Sequence, residues 1–207
     1  MSLKFGTDGV RAEALTVLTT GYVAALGRAA AQVLGGGTWL IGRDTRESGS
    51  VLEAAIVAGL AAGGAEPVSL GVVPTPALAW LAEQRGCPAA MITASHNPWR
   101  DNGVKIFAAG GTKLPDAVER AIEAVLDPEH VGAFVAGHEV QAAHSDAGAT
   151  YVQHLVGLTE RLDGLTVVLD CANGAMSEVA PAAFRALGAE VTVIHDHPDG
   201  RNINDHC

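Results

Sequence analysis

Residues 38–62 read TWLIGRDTRESGSVLEAAIVAGLAA. Residues 38–41 are a short apolar run of the kind a buried strand shows, and the polar GRDTR that follows breaks it. Residues 50–62 are then dense in Ala, Leu and Val, as a helix packed on a sheet must be, and Gly63-Gly64 ends them. A strand, a polar turn and a packed helix make the repeating unit of an α/β layer fold.

The alternation continues in both directions. Upstream, residues 20–34 carry Val23, Leu26, Ala30 and Val33 or Leu34 at helical spacing, and Gly35-Gly36-Gly37 stops them. Downstream, residues 67–70 read as a strand, 76–84 as a helix with Pro76 in its first turn, and 89–93 as another strand. Asp101-Asn102-Gly103 carries an Asn-Gly turn signal, so residues 104–108 are expected to return as the second arm of a hairpin and make the sheet mixed. Leu114-Pro115-Asp116 opens a helix to about Leu126. One α/β domain is therefore expected over residues 1–127. Residues 128–149 lose periodicity and read as a linker, with a short strand at 133–135; His130, His138 and His144 within it read as solvated side chains. In residues 150–207 a helix is expected at 150–162, strands at 165–169 and 190–194, and a helix at 175–187 between them. A lone βαβ unit leaves strand edges uncovered, so this second domain reads as incomplete, with Asp205 and His206 in a loop whose partners are missing.

The 207 residues are 48% hydrophobic but only 4% aromatic, so Ala, Val and Leu must fill the core. A net charge of −10, with no Lys/Arg cluster to override it, works against nucleic acid. No apolar run is long enough to cross a membrane, and residues 1–11 lack the apolar core of a signal peptide. Cys87, Cys171 and Cys207 are odd in number, far apart and outside metal-ligand spacing, so they read as reduced thiols of a cytoplasmic protein.

The chemistry concentrates in the segments between these elements. Thr93-Ala94-Ser95-His96-Asn97-Pro98 follows an apolar strand; small residues flank Ser95, and Pro98 restricts the backbone behind it. A Ser-His-Asp relay is not indicated, because neighbouring side chains of an extended segment point to opposite faces and no G-x-S-x-G elbow is present. Phe5-Gly6-Thr7-Asp8-Gly9-Val10-Arg11 combines glycines, which let N–H groups approach an anion, with a guanidinium fork suited to phosphate. Gly42 to Arg46 lies where ligands sit in α/β sheets, at the carboxyl end of a strand. Lys105, on the expected hairpin arm, returns toward the Ser95 loop. Each segment alone also fits a plainer reading: an ordinary turn around Ser95, a flexible terminus with a solvated Arg11, a capping and ion-pair turn at residues 42–46, and a solvated strand Lys105. Together they gather Arg11, Arg43, Arg46, Arg100 and Lys105 around one serine in an acidic protein, which points to a phosphate site.

In order along the chain stand FGTDGVRA, GRDTRESG, PTPA, TASHNPWRDNGVKIF, GGTKLPD, VVLDCANGA and PDGRNIND. This series resembles the α-D-phosphohexomutase superfamily, and within it the bacterial phosphoglucosamine mutase family, from Phe5 to Asp205. The resemblance implies an α/β fold: a mixed-sheet, three-layer phosphohexomutase domain I followed by an incomplete domain II. It implies interconversion of glucosamine 6-phosphate and glucosamine 1-phosphate through a phosphoserine, a bisphosphorylated sugar and Mg²⁺, on the way to UDP-N-acetylglucosamine and peptidoglycan. Ser95 takes the phosphoserine position, and its phosphate would be one ligand of the Mg²⁺. His96 would orient or shuttle protons, Arg11 and Lys105 would flank the phosphate with Lys105 as general acid/base, and Thr7 and Asn97 would join them in binding phosphate. A hexosamine phosphate is the implied substrate and a homodimer a possible assembly. Ala12 stands where that family usually has Gly. The family's Asp-Gly-Asp metal loop, Glu-Ser-Gly sugar loop and carboxyl-terminal phosphate loop have no counterpart up to Cys207, so the chain alone is expected to be inactive. Another phosphohexomutase, or a non-catalytic fragment, remains an alternative.

Overall fold

The computed structural model describes residue 3, residues 9–127 and residues 146–207. Thr7, the expected strand at 133–135 and His130, His138 and His144 lie outside the described residues. The elements are β1 (Val10–Glu13), α1 (Thr20–Leu34), β2 (Gly37–Arg43), α2 (Gly49–Ala62), β3 (Ala65–Val72), α3 (Thr75–Arg85), β4 (Ala89–Ile92), β5 (Asp101–Phe107), α4 (Asp116–Val125), α5 (Ala147–Gly157), β6 (Thr166–Asp170), α6 (Val179–Ala186) and β7 (Glu190–Ile194). Thr19 caps α1 by accepting the Tyr22 N–H at 3.1 Å, and the Gly35 N–H closes its far end on Ala31.

Five strands form one sheet in the order β1-β5-β4-β2-β3. β2 lies parallel to both β3 and β4, whereas β5 runs antiparallel to β4 and β1, so the sheet is mixed as expected. Alternation along each strand then sorts side chains to two faces. Trp39, Ile41, Ala90, Ile92, Val104 and Ile106 join the core beneath α1, α2 and α4. Leu40, Ala89 and Met91 join a second core beneath α3, α5 and α6. The result is three layers, each fully buried large side chain contributing about 1.5–3 kcal/mol.

The hairpin differs from expectation in one respect. Asn102 and Gly103 are not its turn: they sit inside β5, paired with Ala12 and Arg11. The connection is residues 93–100 instead. Packing explains the glycine, because a Cβ at position 103 would lie 2.5 Å from the Val10 carbonyl oxygen and 2.8 Å from that of Thr93. Asn102 is fully buried and donates to Ser48 Oγ at 2.9 Å.

β6 and β7 pair in parallel in a separate two-stranded sheet. The expected helix at 150–162 is found at Ala147–Gly157, and that at 175–187 is shortened to Val179–Ala186 by turns before it. Val168 is 64% exposed, an open face that a complete parallel sheet would cover. This lobe docks through Ala147, Tyr151 and Val179, and Trp80 of α3 stacks on His154 of α5 at 4.2 Å between ring centroids.

α1 and α2 touch backbone to backbone. A Cβ on Gly27 would lie 2.7 Å from the Ile56 carbonyl oxygen, and one on Gly59 would overlap the Ala24 carbonyl. Gly59→Ala should therefore lower stability by about 2 kcal/mol, roughly 4–8 °C in Tm. Gly148→Ala, whose added carbon meets nothing closer than 3.7 Å, is the control and should be neutral in the same melting experiment.

Candidate functional site at the Ser95 loop

Residues 93–100 leave the carboxyl end of β4 beside the carboxyl end of its parallel neighbour β2, which leads into Asp44 and Arg46. Arg46 is 2% exposed, and every one of its N–H groups is used. Nε donates to Asp44 Oδ2 at 3.0 Å. Nη1 donates to the carbonyls of Pro98 and Asp101, and Nη2 to those of Ser95 and Asn97, both at 2.9 Å. Five donors in a rigid plane fit four carbonyls and a carboxylate, which no other side chain could do. Asp44 completes the support: its Oδ2 accepts the Thr93 hydroxyl at 2.7 Å, and Thr93 Oγ1 accepts the Ser95 N–H at 3.0 Å.

Ser95 itself is exposed, with φ 56°. That left-handed conformation is uncommon for a residue other than glycine, and here the pinned carbonyls enforce it. The chain thus presents one hydroxyl at its surface from a backbone that cannot relax. Asn97 closes the loop, its Nδ2 donating to Asp101 Oδ2 at 2.9 Å and its N–H to Ala94 O at 3.1 Å. His96 is exposed at the tip.

Arg11 and Lys105 share a sheet face with Thr93. Arg11 pairs with Gly103, and the Gly103 carbonyl accepts the Thr93 N–H, so these three form one row across β1, β5 and the end of β4. A Cβ on Gly103 would be 2.9 Å from Arg11 Cγ, so the arginine stem crosses the bare glycine beside the Thr93 carbonyl. Lys105, two residues along β5, faces the same way, opposite Met91. Both cations are half-buried, on the part of this face beyond β4. The other cations of the motif serve the scaffold. Arg43 Nε bonds Glu53 at 2.8 Å, Arg46 is consumed as described, and Arg100 lies over the Trp99 ring at 5.2 Å.

The second lobe reaches this loop, which no local pattern in the chain had indicated. Asn204 Nδ2 donates to the carbonyls of Ser95 at 2.9 Å and Asn97 at 3.2 Å. Arg201 forks onto Glu47 at 2.9 and 2.7 Å and lies over Trp99 at 5.3 Å. The loop around Asp205 therefore has its partners, contrary to expectation, although the Asp205 and His206 side chains meet only each other, at 3.6 Å. Only the motif PDGRNIND, rich in turn-forming and amide residues, marked this segment in the sequence. Asp170, after β6, caps the following turn by accepting the Ala172 N–H at 2.9 Å, and that bond holds its carboxyl below the usual range. Among the described residues no group of three or more His, Cys, Asp or Glu could hold a metal.

Residues 2–130 match the family model described as phosphoglucomutase/phosphomannomutase, alpha/beta/alpha domain I. A phosphoglucosamine mutase from Salinispora arenicola is 51% identical over 219 aligned residues, covering all of this chain and 49% of the relative. The chain thus spans about half the length of the curated relatives it matches. Among solved structures, a phosphoglucomutase/phosphomannomutase family protein from Burkholderia thailandensis superposes with TM-score 0.78 at 26% identity, over 95% of this chain and 44% of that one. An Aspergillus fumigatus N-acetylphosphoglucosamine mutase, solved with GlcNAc-6P and magnesium, shares the fold at TM-score 0.55 and 15% identity, over 100% of this chain and 43% of its own.

Arg46→Lys keeps the charge but loses the plane and two donors, leaving loop carbonyls unpaired. It should destabilise the protein by about 3 kcal/mol, read as a lower midpoint in urea unfolding.

Proposed function

The chain belongs to the phosphoglucomutase/phosphomannomutase family, and from that premise we propose that it is the phosphoserine-bearing part of a phosphoglucosamine mutase. Ser95 carries the phosphoryl group. The observation behind this is the exposed hydroxyl of a left-handed residue whose neighbouring carbonyls are locked by a buried arginine. Phosphoryl transfer is mostly positioning and charge neutralisation, and a fixed oxygen beside a cationic sheet face supplies both.

In the proposed reaction the Ser95 Oγ–P bond breaks as a bond forms from phosphorus to a hydroxyl oxygen of the sugar monophosphate. Lys105 takes that hydroxyl's proton, and Arg11 neutralises the transferring group. The bisphosphate then presents its other end, which returns a phosphoryl group to Ser95 while Lys105 gives back a proton. His96 orients the incoming oxygen, and Thr7 and Asn97 join in holding phosphate. Asn97 does so from a side chain that already donates to Asp101.

Magnesium needs near-octahedral oxygen coordination. Phosphorylated Ser95 would give it one oxygen, and the described residues gather no further ligand set. The described residues alone therefore do not fit the ion, and no step above passes through it. Within this reading residues 1–127 are the phosphoserine domain, 128–149 the connection and 150–207 part of the next domain. The substrate is a hexosamine phosphate on the route to UDP-N-acetylglucosamine, and the complete protein a cytoplasmic homodimer. No helix among the described residues is long and apolar enough to cross a membrane. Cys87, Cys171 and Cys207 are free, as a reducing compartment would leave them, and burial pushes the thiols of the first two up.

Ser95→Ala in the complete protein should cut mutase turnover by several orders of magnitude, and intact-mass spectrometry should find one phosphate on the wild type and none on the variant. Near-normal turnover of Ser95→Ala refutes the assignment. Rates on glucosamine, glucose and mannose phosphates should favour the first; a preference for another sugar would make the protein a different phosphohexomutase. Residues 1–207 by themselves should show no turnover, because the clamp on the non-reacting phosphate is missing.

A further inference from the structure

The loop at residues 198–205 grips the catalytic lobe at several points. Glu47 donates its N–H to the Gly200 carbonyl at 2.9 Å, and Gly200, with φ 91°, packs so closely on Glu47 that a Cβ there would lie 3.1 Å from the Glu47 Cβ and 3.2 Å from its Cα and N. The neighbouring loop after β6 joins it: the Thr45 hydroxyl donates to the Asn173 carbonyl at 2.6 Å, and Asn173 Nδ2 donates to Asn202 O at 3.2 Å. Asn204 stands on this base with φ 61°, its N–H held by Ala172 O at 2.9 Å. Asparagine tolerates this left-handed conformation better than most residues. The backbone thus aims the Asn204 amide at the Ser95 loop.

The Ser95 and Asn97 carbonyls are the two that Arg46 Nη2 already holds. A carbonyl oxygen accepts two hydrogen bonds, and here one comes from each lobe. We propose that Asn204 is a positioning residue for phosphoryl transfer: with Arg46 it grips the Ser95 and Asn97 carbonyls from two lobes, so that docking of the second lobe fixes the Ser95 hydroxyl. Arg46 is the permanent half of this grip, because it belongs to the same lobe as the loop. Asn204 is the removable half, because it leaves if the second lobe swings away. The proposal rests on Ser95 as the phosphoryl carrier and adds what holds it in register.

Two measurements test it. In residues 1–207, amide hydrogen exchange reports the N–H groups that close the loop, those of Ser95, Asn97 and Asp101. Asn204→Ala should speed their exchange about tenfold while strands β2 and β4 exchange as before. Asn204→Asp, which has no N–H to give and sets a negative charge against two carbonyls, should do so at least as strongly. In the complete protein the same variants should lower kcat about tenfold with KM for the sugar phosphate within twofold, and Asn204→Gln, which keeps the donor, should recover part of the loss. Wild-type exchange in both variants, or unchanged kcat, overturns the proposal. A parallel rise in KM also overturns it, since that would make Asn204 a substrate contact. If the complete wild-type protein has no mutase activity, the proposed function fails, whereas the exchange result still decides whether Asn204 holds the loop.

Discussion

Arg46 is a cation taken almost wholly out of water, and its five N–H groups all end on oxygens of this chain. Burying a charge is costly unless it is paired and its donors are used. Asp44 supplies the pairing, and four carbonyls of the Ser95 connection take the remaining donors. The exchange works in both directions. Without the guanidinium those carbonyls would be unsatisfied, and without the carbonyls the guanidinium would be a stranded donor set. The unusual backbone of Ser95 persists because this mutual requirement leaves the loop no cheaper conformation.

Sheet order makes that arrangement possible. β2 and β4 are parallel neighbours, so their carboxyl ends lie side by side and the two loops leaving them meet. β4 is also the strand at which direction changes, since β5 returns antiparallel along its other edge. α3 and the second lobe pack over Leu40, Ala89 and Met91, while the row beyond, on β5 and β1, carries Arg11 and Lys105. An acidic protein of net charge −10 thereby keeps two cations on the sheet face that also carries Thr93, two residues before the exposed serine.

The two lobes meet in chemically different ways. Near α3 the contact is apolar and aromatic, through Tyr151, Val179 and the Trp80–His154 stack. Near the Ser95 loop it is made of hydrogen bonds and the exposed Arg201–Glu47 pair, in which the hydrogen bond from Arg201 lowers the Glu47 carboxyl's pKa. An ion pair open to solvent adds little to stability. Its planar fork, which lies over Trp99, acts instead to set the register of the loop that carries Asn204.

The amino-acid order alone determined most of the architecture. α1 and β7 lie where periodicity put them, and the other elements shift by a few residues, because burial of one face leaves a periodic trace in the chain; β1 is the exception, a four-residue strand that the reading of residues 5–11 as an anion-binding segment did not foresee. The serine loop was legible too, as a strand followed by small residues, Ser and Pro. The basic residues that gather around it in the sequence do not share one role: Arg43 and Arg46 hold the scaffold, and nothing in GRDTR distinguishes a phosphate fork from a carbonyl fork. Asn102-Gly103 misled for a related reason, since its turn chemistry is local while the bare Cα was required by Val10 and Thr93, distant in sequence. Asn204 was silent for the same cause. Local patterns record what a residue prefers; only the folded chain decides which distant carbonyl, cation or backbone it meets, because those partners come together through packing between segments up to 154 positions apart.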